Sequence, residues 1–63
     1  MRARDAVKLH NGDEVIIKIS NRSATVNQMR VVPDMEPMLV ELKVIISNGG
    51  GGVYATVYHD EVR

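Results

Sequence analysis

The stretch Val40-Glu41-Leu42-Lys43-Val44-Ile45-Ile46 decides the fold, because apolar and polar residues alternate along most of its length. A period of two puts every second side chain on the same face of a pleated strand. The same alternation recurs in residues 14–19 and in residues 53–58. The sequence therefore predicts an all-β protein made of half-buried antiparallel strands.

The last two strands are predicted to form a hairpin through the glycine-rich residues 47–52. This loop length sets a register in which both strands turn their apolar side chains to one face. The predicted pairs are Ile46 with Val53, Val44 with Ala55, and Leu42 with Val57. The opposite face then carries Tyr54, Thr56 and Tyr58 beside Glu41, Lys43 and Ile45.

The first hairpin is predicted to join residues 7–9 to residues 13–15. A two-residue Asn11-Gly12 turn would set Lys8 beside the core, whereas a three-residue loop starting at His10 places Val7 opposite Val15. In that loop Gly12 takes the left-handed position of a bulge, where glycine has no steric cost. We therefore predict the three-residue loop.

The second turn is predicted at Asn21-Arg22, with Ile19 paired to Ala24 and Ile17 to Val26. Beyond Val26 the apolar residues change parity, which predicts a bulge at Asn27-Gln28. Pro33 and Pro37 then interrupt pairing, since proline lacks an amide hydrogen. We expect a proline-bounded crossover between the third and fourth strands.

These patterns predict a single domain over residues 1–63 with about five antiparallel strands. It is expected to form a small barrel or a curled open sheet. In strand number and length it resembles SH3-like, Sm-like and OB-like barrels, although it carries no motif specific to those families.

Composition limits both the core and the range of functions. The 63 residues include no cysteine, phenylalanine or tryptophan, so no disulfide stiffens a core built from aliphatic residues and methionine. Burial at about 25 cal/mol per Å² roughly cancels about 1.5 kcal/mol of entropy per residue in such a chain. We therefore expect self-association. The net charge of +0 provides no long-range field toward nucleic acid or anionic membranes.

Catalytic, metal and phosphate sites find little support in the sequence. The run Asn48-Gly49-Gly50-Gly51-Gly52 lacks the lysine and following helix of a phosphate loop, and indicates a flexible hairpin loop. His10 with Asp13, and His59 with its acidic neighbours, are too few for a metal site. We expect no enzymatic activity, no cofactor, no metal and no membrane span. Without an apolar segment after the basic start, a cytoplasmic location is expected.

Residues 29–40 contain more apolar side chains than a narrow core takes, including three of the four methionines. Methionine is common at adaptable binding surfaces, and proline-flanked extended segments present backbone for strand addition. One interpretation is ordinary core closure by Met35 or Met38. The other, which we favour, is a partner or subunit surface, formed by Met29, Val32, Met35, Met38 and Leu39.

An alternative function is nucleic-acid binding. Basic residues are concentrated in the first half of the chain, where Arg22 and Arg30 could contact phosphates. Tyr54 and Tyr58 share a strand face and could stack on bases. The leading hypothesis remains a non-enzymatic protein–protein interaction module that forms a homo-oligomer.

Overall fold

The computed structural model describes residues 1–47 and 50–63, which form one antiparallel sheet and two short helices. The strand order is β1-β2-β3-β4, and the sheet is not closed into a barrel. Among the described residues, no helix has the length and apolar character needed to cross a membrane. The elements are α1 (Ala3–Ala6), β1 (Glu14–Ile17), β2 (Arg22–Val31), β3 (Val40–Ser47), β4 (Gly52–Tyr58) and a 3-10 helix (His59–Glu61).

The core lies on one face of this sheet, as the alternation predicts. Helix α1 contributes Ala6, and the segment after the 3-10 helix contributes Val62, both fully buried. Met29, Ile46 and Ala55 pack against this cluster from partly buried positions. The buried set is Ala6, Val15, Ile17, Ala24, Val26, Val40, Leu42, Val44, Val57 and Val62.

The hairpin of β3 and β4 has the predicted register. Ile46 pairs with Val53, Val44 with Ala55, and Leu42 with Val57. The outer face, which is the face of the sheet opposite the core, consequently carries Tyr54 beside Ile45 and Tyr58 beside Glu41. The predicted bulge is also confirmed, because the pairing of β2 with β3 shifts between Val26 and Gln28.

The predicted first hairpin is wrong. Residues 3–6 are helical, and the Leu9 amide donates to the Ala6 carbonyl at 3.1 Å. Three alternating residues are too few to hold a strand, whereas alanine favours helix and Ala6 fills the core. Gly12 does adopt a positive φ of 100°, but its amide donates to Val26 of β2 at 2.8 Å.

The second turn is longer than predicted. Val15 pairs with Ala24 and Ile17 with Arg22, so residues 18–21 form the connection. The shift from the predicted pairing is an even number of residues, which leaves the buried face unchanged. Ile19, predicted to face the core, is 97% exposed at this turn. Asn21 closes the turn with a φ of 56°, a conformation asparagine tolerates.

The proline-containing segment is a hairpin loop rather than a crossover. Strands β2 and β3 are direct neighbours, and the Val32 amide donates to the Leu39 carbonyl at 2.9 Å. Residues 33–38 therefore project from the end of this hairpin. The loop contains a cis peptide bond before Pro37 and a positive φ at Asp34.

The C-terminal residues lie beside β1, where the sequence predicted the first strand, residues 7–9. Ile16 and Arg63 exchange two backbone hydrogen bonds of 3.0 and 2.9 Å, and the Lys18 amide donates to the Glu61 carbonyl at 2.9 Å. The contact is an isolated bridge between Ile17 and Val62, not a full strand. The described residues therefore form four strands, with a short C-terminal segment covering the outer edge of β1.

Candidate functional site

The loop of residues 33–38 holds the apolar side chains that the sequence singles out for binding. Met35 is 49% exposed and Met38 is 46% exposed, so neither side chain is taken up by the core. Leu39 is half-buried immediately before β3. The loop ends are joined by the hydrogen bond of Val32 to Leu39, which fixes where both methionines lie.

These side chains line an open groove of about 630 Å³ at the end of the sheet, referred to below as the methionine groove. One wall is the loop, with Met35, Pro37 and Met38 as its apolar part. The other walls come from the two ends of the chain, through residues Arg2, Ala3, Arg4, His59 and Asp60, while Glu36 and Leu39 complete the lining.

Charged groups of both signs border the methionine groove. Arg2 and Arg4 lie on the N-terminal wall, with Glu36 on the loop and Asp60 on the 3-10 helix. The groove lining is thus mostly apolar and carries charged groups of both signs. This combination suits an extended apolar segment better than a strongly charged ligand.

His59 has a structural contact within this groove. Its Nδ1 accepts a hydrogen bond from the Val40 amide at 3.1 Å. Since Nδ1 is the acceptor, the neutral ring carries its proton on Nε2. This bond holds the 3-10 helix against the start of β3, and thereby positions Asp60 on the groove wall.

The N-terminal wall is also tied to the C-terminal segment. The α-amino group of Met1 donates to the Val62 carbonyl at 2.6 Å. Burial, followed by the positive charge of Lys18, lowers the pKa of this amino group from its ordinary value. The contact fixes the segment that carries Arg2 next to the groove.

Two of the five residues predicted for the partner surface lie outside the methionine groove. Met29 sits in β2 opposite Leu42 and packs against the buried cluster. Val32 is half-buried at the base of the loop. The structure therefore places Met35, Met38 and Leu39 in one groove. Val32 is joined to Leu39 by a backbone hydrogen bond but does not line the groove, and Met29 packs on the core.

Of the four residues expected to contact nucleic acid, Arg30, Tyr54 and Tyr58 lie on the outer face. Arg22 instead pairs with the buried Ile17 and has the same parity as the core residues of β2. Arg30, Glu41 and Tyr58 are neighbours across three strands, and Tyr54 is 72% exposed. Both guanidinium contacts of Arg30 go to Glu41, with Nη2 to Oε2 at 3.3 Å and Nε to Oε1 at 3.5 Å. Arg22 lies at the opposite end of β2.

The remaining polar candidates form small local contacts. The His10 amide donates to Asp13 Oδ2 at 2.8 Å, while His10 Nδ1 stays 3.9 Å from that oxygen. In the part of the chain that the structure describes, no three histidine, cysteine or acidic side chains form a group able to hold a metal ion. The glycine run starts at Asn48 and Gly49, which lie outside the described residues.

Sequence reasoning missed Arg2, Arg4, His59 and Asp60 as groove residues. Arg2 and Arg4 are more than fifty residues from His59 and Asp60 along the chain. The two pairs meet only because the C-terminal segment returns to β1. No local pattern signals that contact.

Comparisons with protein-family models, with curated proteins and with solved structures gave no match for this chain.

Proposed function

We propose that this chain is a non-enzymatic protein–protein interaction module that also associates with itself, and that the methionine groove receives an extended apolar segment of a partner protein. The half-exposure of Met35 and Met38 on a loop anchored at both ends is the observation that carries this proposal. Methionine side chains adapt to differently shaped partners at low cost in rotamer strain.

The charge pattern narrows the chemistry of the partner segment. The two basic lining residues, Arg2 and Arg4, are balanced by the acidic Glu36 and Asp60, so a strongly acidic or strongly basic peptide gains little. We expect a segment with two or three apolar side chains spaced for an extended backbone and with little net charge.

Selection from a displayed library of unstructured peptides, followed by titration of the selected peptides, tests this proposal. The double substitution Met35→Ser and Met38→Ser should weaken binding by at least about tenfold, given that a buried anchor residue contributes on the order of 2 kcal/mol. The matched control is Val31→Ser, which changes a side chain of similar exposure outside the groove lining.

Equal binding of the selected peptides to the double variant and the wild type would contradict the proposal. Retention of the sheet signal in circular dichroism separates lost binding from lost folding. If both methionines instead closed the core, their loss would cost about 2–5 kcal/mol each and unfold the domain.

Nucleic-acid binding is the competing function, supported by Tyr54 and Tyr58 on the outer face. The pairing of Arg30 with Glu41 weakens it, because the guanidinium that would contact phosphate already has a carboxylate partner. Micromolar binding of single-stranded DNA or RNA at low salt, lost on Arg22→Ala and Arg30→Ala, would replace our proposal with this one.

A further inference from the structure

Among the described residues, the outer edge of β4 has none of the contacts that cover the outer edge of β1. Strand β4 pairs only with β3, and it is the last strand in the sheet order. Tyr54 is 72% exposed and Val53 is 49% exposed along it. The edge at β1 is therefore covered by the C-terminal segment, whereas the edge at β4 is exposed among the described residues.

The direction of the β4 amides follows from one hydrogen bond. The Tyr58 amide donates to Glu61 Oε1 at 2.8 Å, so it points away from β3. Backbone groups alternate sides along a strand, which turns the amides and carbonyls of Gly52, Tyr54 and Thr56 in the same outward direction. Among the described residues, none of these three makes a backbone hydrogen bond beyond the ladder with β3.

Nothing in the sequence of β4 protects this edge. Natural edge strands are usually guarded by lysine, proline or a bulge. The β4 sequence Gly-Val-Tyr-Ala-Thr-Val-Tyr contains no charged residue and no proline, and its pairing with β3 has no register shift. Two copies can therefore approach along β4 without bringing like charges together.

We propose that a second copy of this chain adds to the outer edge of β4, antiparallel, about a two-fold axis at Tyr54. This register pairs all three outward residues, with Gly52 opposite Thr56 of the second copy and Tyr54 opposite its own counterpart. Each such pair exchanges two hydrogen bonds. The result is a continuous eight-stranded sheet, from two copies of four strands.

Side chains match in this arrangement as well. On the core side, the half-exposed Val53 lies opposite Ala55 of the second copy and becomes covered. On the outer face, the two Tyr54 rings become cross-strand neighbours, a favourable aromatic pair. A two-fold interface requires such self-complementarity of one patch. This inference rests on the self-association included in the proposed function, but uses a surface separate from the methionine groove.

Sedimentation velocity over a range from about 1 µM to about 500 µM tests the proposal, since a dimer responds to concentration. Thr56→Pro removes one outward amide without removing a hydrogen bond to β3, and proline is tolerated at that side of an edge strand. It should weaken dimerisation by at least about tenfold, corresponding to about 1.4 kcal/mol. Thr56→Val, which keeps the amide, should dimerise like the wild type. Thr56→Lys serves as a second blocking variant if the proline variant fails to fold.

Cross-linking checks the register. The chain has no cysteine, so Tyr54→Cys introduces a unique thiol. Directly opposite residues have Cα atoms about 5.5 Å apart, within disulfide range. Mild oxidation should convert Tyr54→Cys into a covalent dimer, while Ile19→Cys, placed at the exposed turn between β1 and β2, should stay monomeric.

The outcomes distinguish this inference from the proposed function. If the wild type dimerises and both Thr56→Pro and Thr56→Lys dimerise equally well, the β4 interface is overturned. If those dimers are lost in the Met35→Ser, Met38→Ser variant, self-association uses the methionine groove and the proposed function stands. A wild type that remains monomeric over the whole range overturns the β4 interface and the proposed self-association, while peptide binding in the groove is decided by its own titration.

Discussion

The two edges of the sheet differ in one respect, which is whether the chain itself covers them. At β1, residues 61–63 supply three backbone hydrogen bonds and bury Val62. At β4, the outward groups of Gly52, Tyr54 and Thr56 receive no such cover from the described residues. A single chain reversal through the 3-10 helix therefore covers the edge at β1 and, among the described residues, does not cover the edge at β4.

The covered edge also organises the methionine groove. The segment that reaches β1 starts at His59, whose ring accepts a hydrogen bond from the Val40 amide. It ends beside the N-terminus, where the α-amino group of Met1 donates a hydrogen bond to the Val62 carbonyl. Covering β1 thus positions two walls of the groove. The open edge at β4 contributes to neither wall, which makes the two proposed surfaces independent.

The largest test of this comparison places the same substitution at each edge. Val62→Asp puts a carboxylate at a fully buried position without a partner and should cost more than about 3 kcal/mol. A domain of this size has roughly 3–9 kcal/mol of stability, so this variant should lose at least about a third of it. Val53→Asp, at a half-exposed position, should cost about 1 kcal/mol or less. Urea titrations followed by circular dichroism measure both changes.

If the two substitutions lowered the free energy of unfolding equally, the C-terminal segment would stabilise the fold no more than the exposed edge strand does. Loss of dimerisation in Val53→Asp, with folding retained, would add support for the β4 interface. The new carboxylate would then lie opposite Ala55 of the second copy, at a position that the interface removes from water, where an unpaired charge is costly.

The comparison also explains which parts of the fold the sequence reveals. The β3–β4 register was predictable because seven residues of alternation and a short loop leave one parity that buries the apolar face. The first hairpin was not, since residues 7–9 are too short a pattern to compete with the helix that buries Ala6. The turn at 18–21 kept the right face but not the right pairing, as periodicity fixes parity and not the length of a turn.

The candidate sites also include parts that the sequence predicts and parts that it does not. The exposed methionines were predictable from excess apolar content in residues 29–40, although the sequence could not separate Met29, which packs on the core, from Met35. The groove walls and the covered edge depend on contacts between the chain ends, for which no local signal exists. The uncharged β4 strand was visible in the sequence, but its edge position was not.

A smaller effect is expected at the start of the open-edge strand. A Cβ at Gly52 would lie 2.5 Å from Cγ2 of Ile45, so Gly52→Ala must displace that side chain or shift β4. Overpacking of this kind costs about 1–3 kcal/mol. Gly51→Ala meets no atom within 4 Å and should change stability by less than about 0.5 kcal/mol. Thermal melts of the two variants provide the measurement, and equal melting temperatures would contradict the close approach of Gly52 to β3.

The smallest effect concerns the residue where the two edges meet. The Glu61 side chain caps the outward amide of Tyr58, and its backbone carbonyl accepts a hydrogen bond from the amide of Lys18, just after β1. Glu61→Ala removes only the cap and, because the bond is exposed, should cost about 0.5–1 kcal/mol, whereas Glu61→Gln keeps an oxygen acceptor and should cost less. The freed amide points to the same side as those of Tyr54 and Thr56, so self-association should be at least as strong as in the wild type. Sedimentation of Glu61→Ala checks this, and a weaker dimer would mean that the outward amides of β4 do not form the interface.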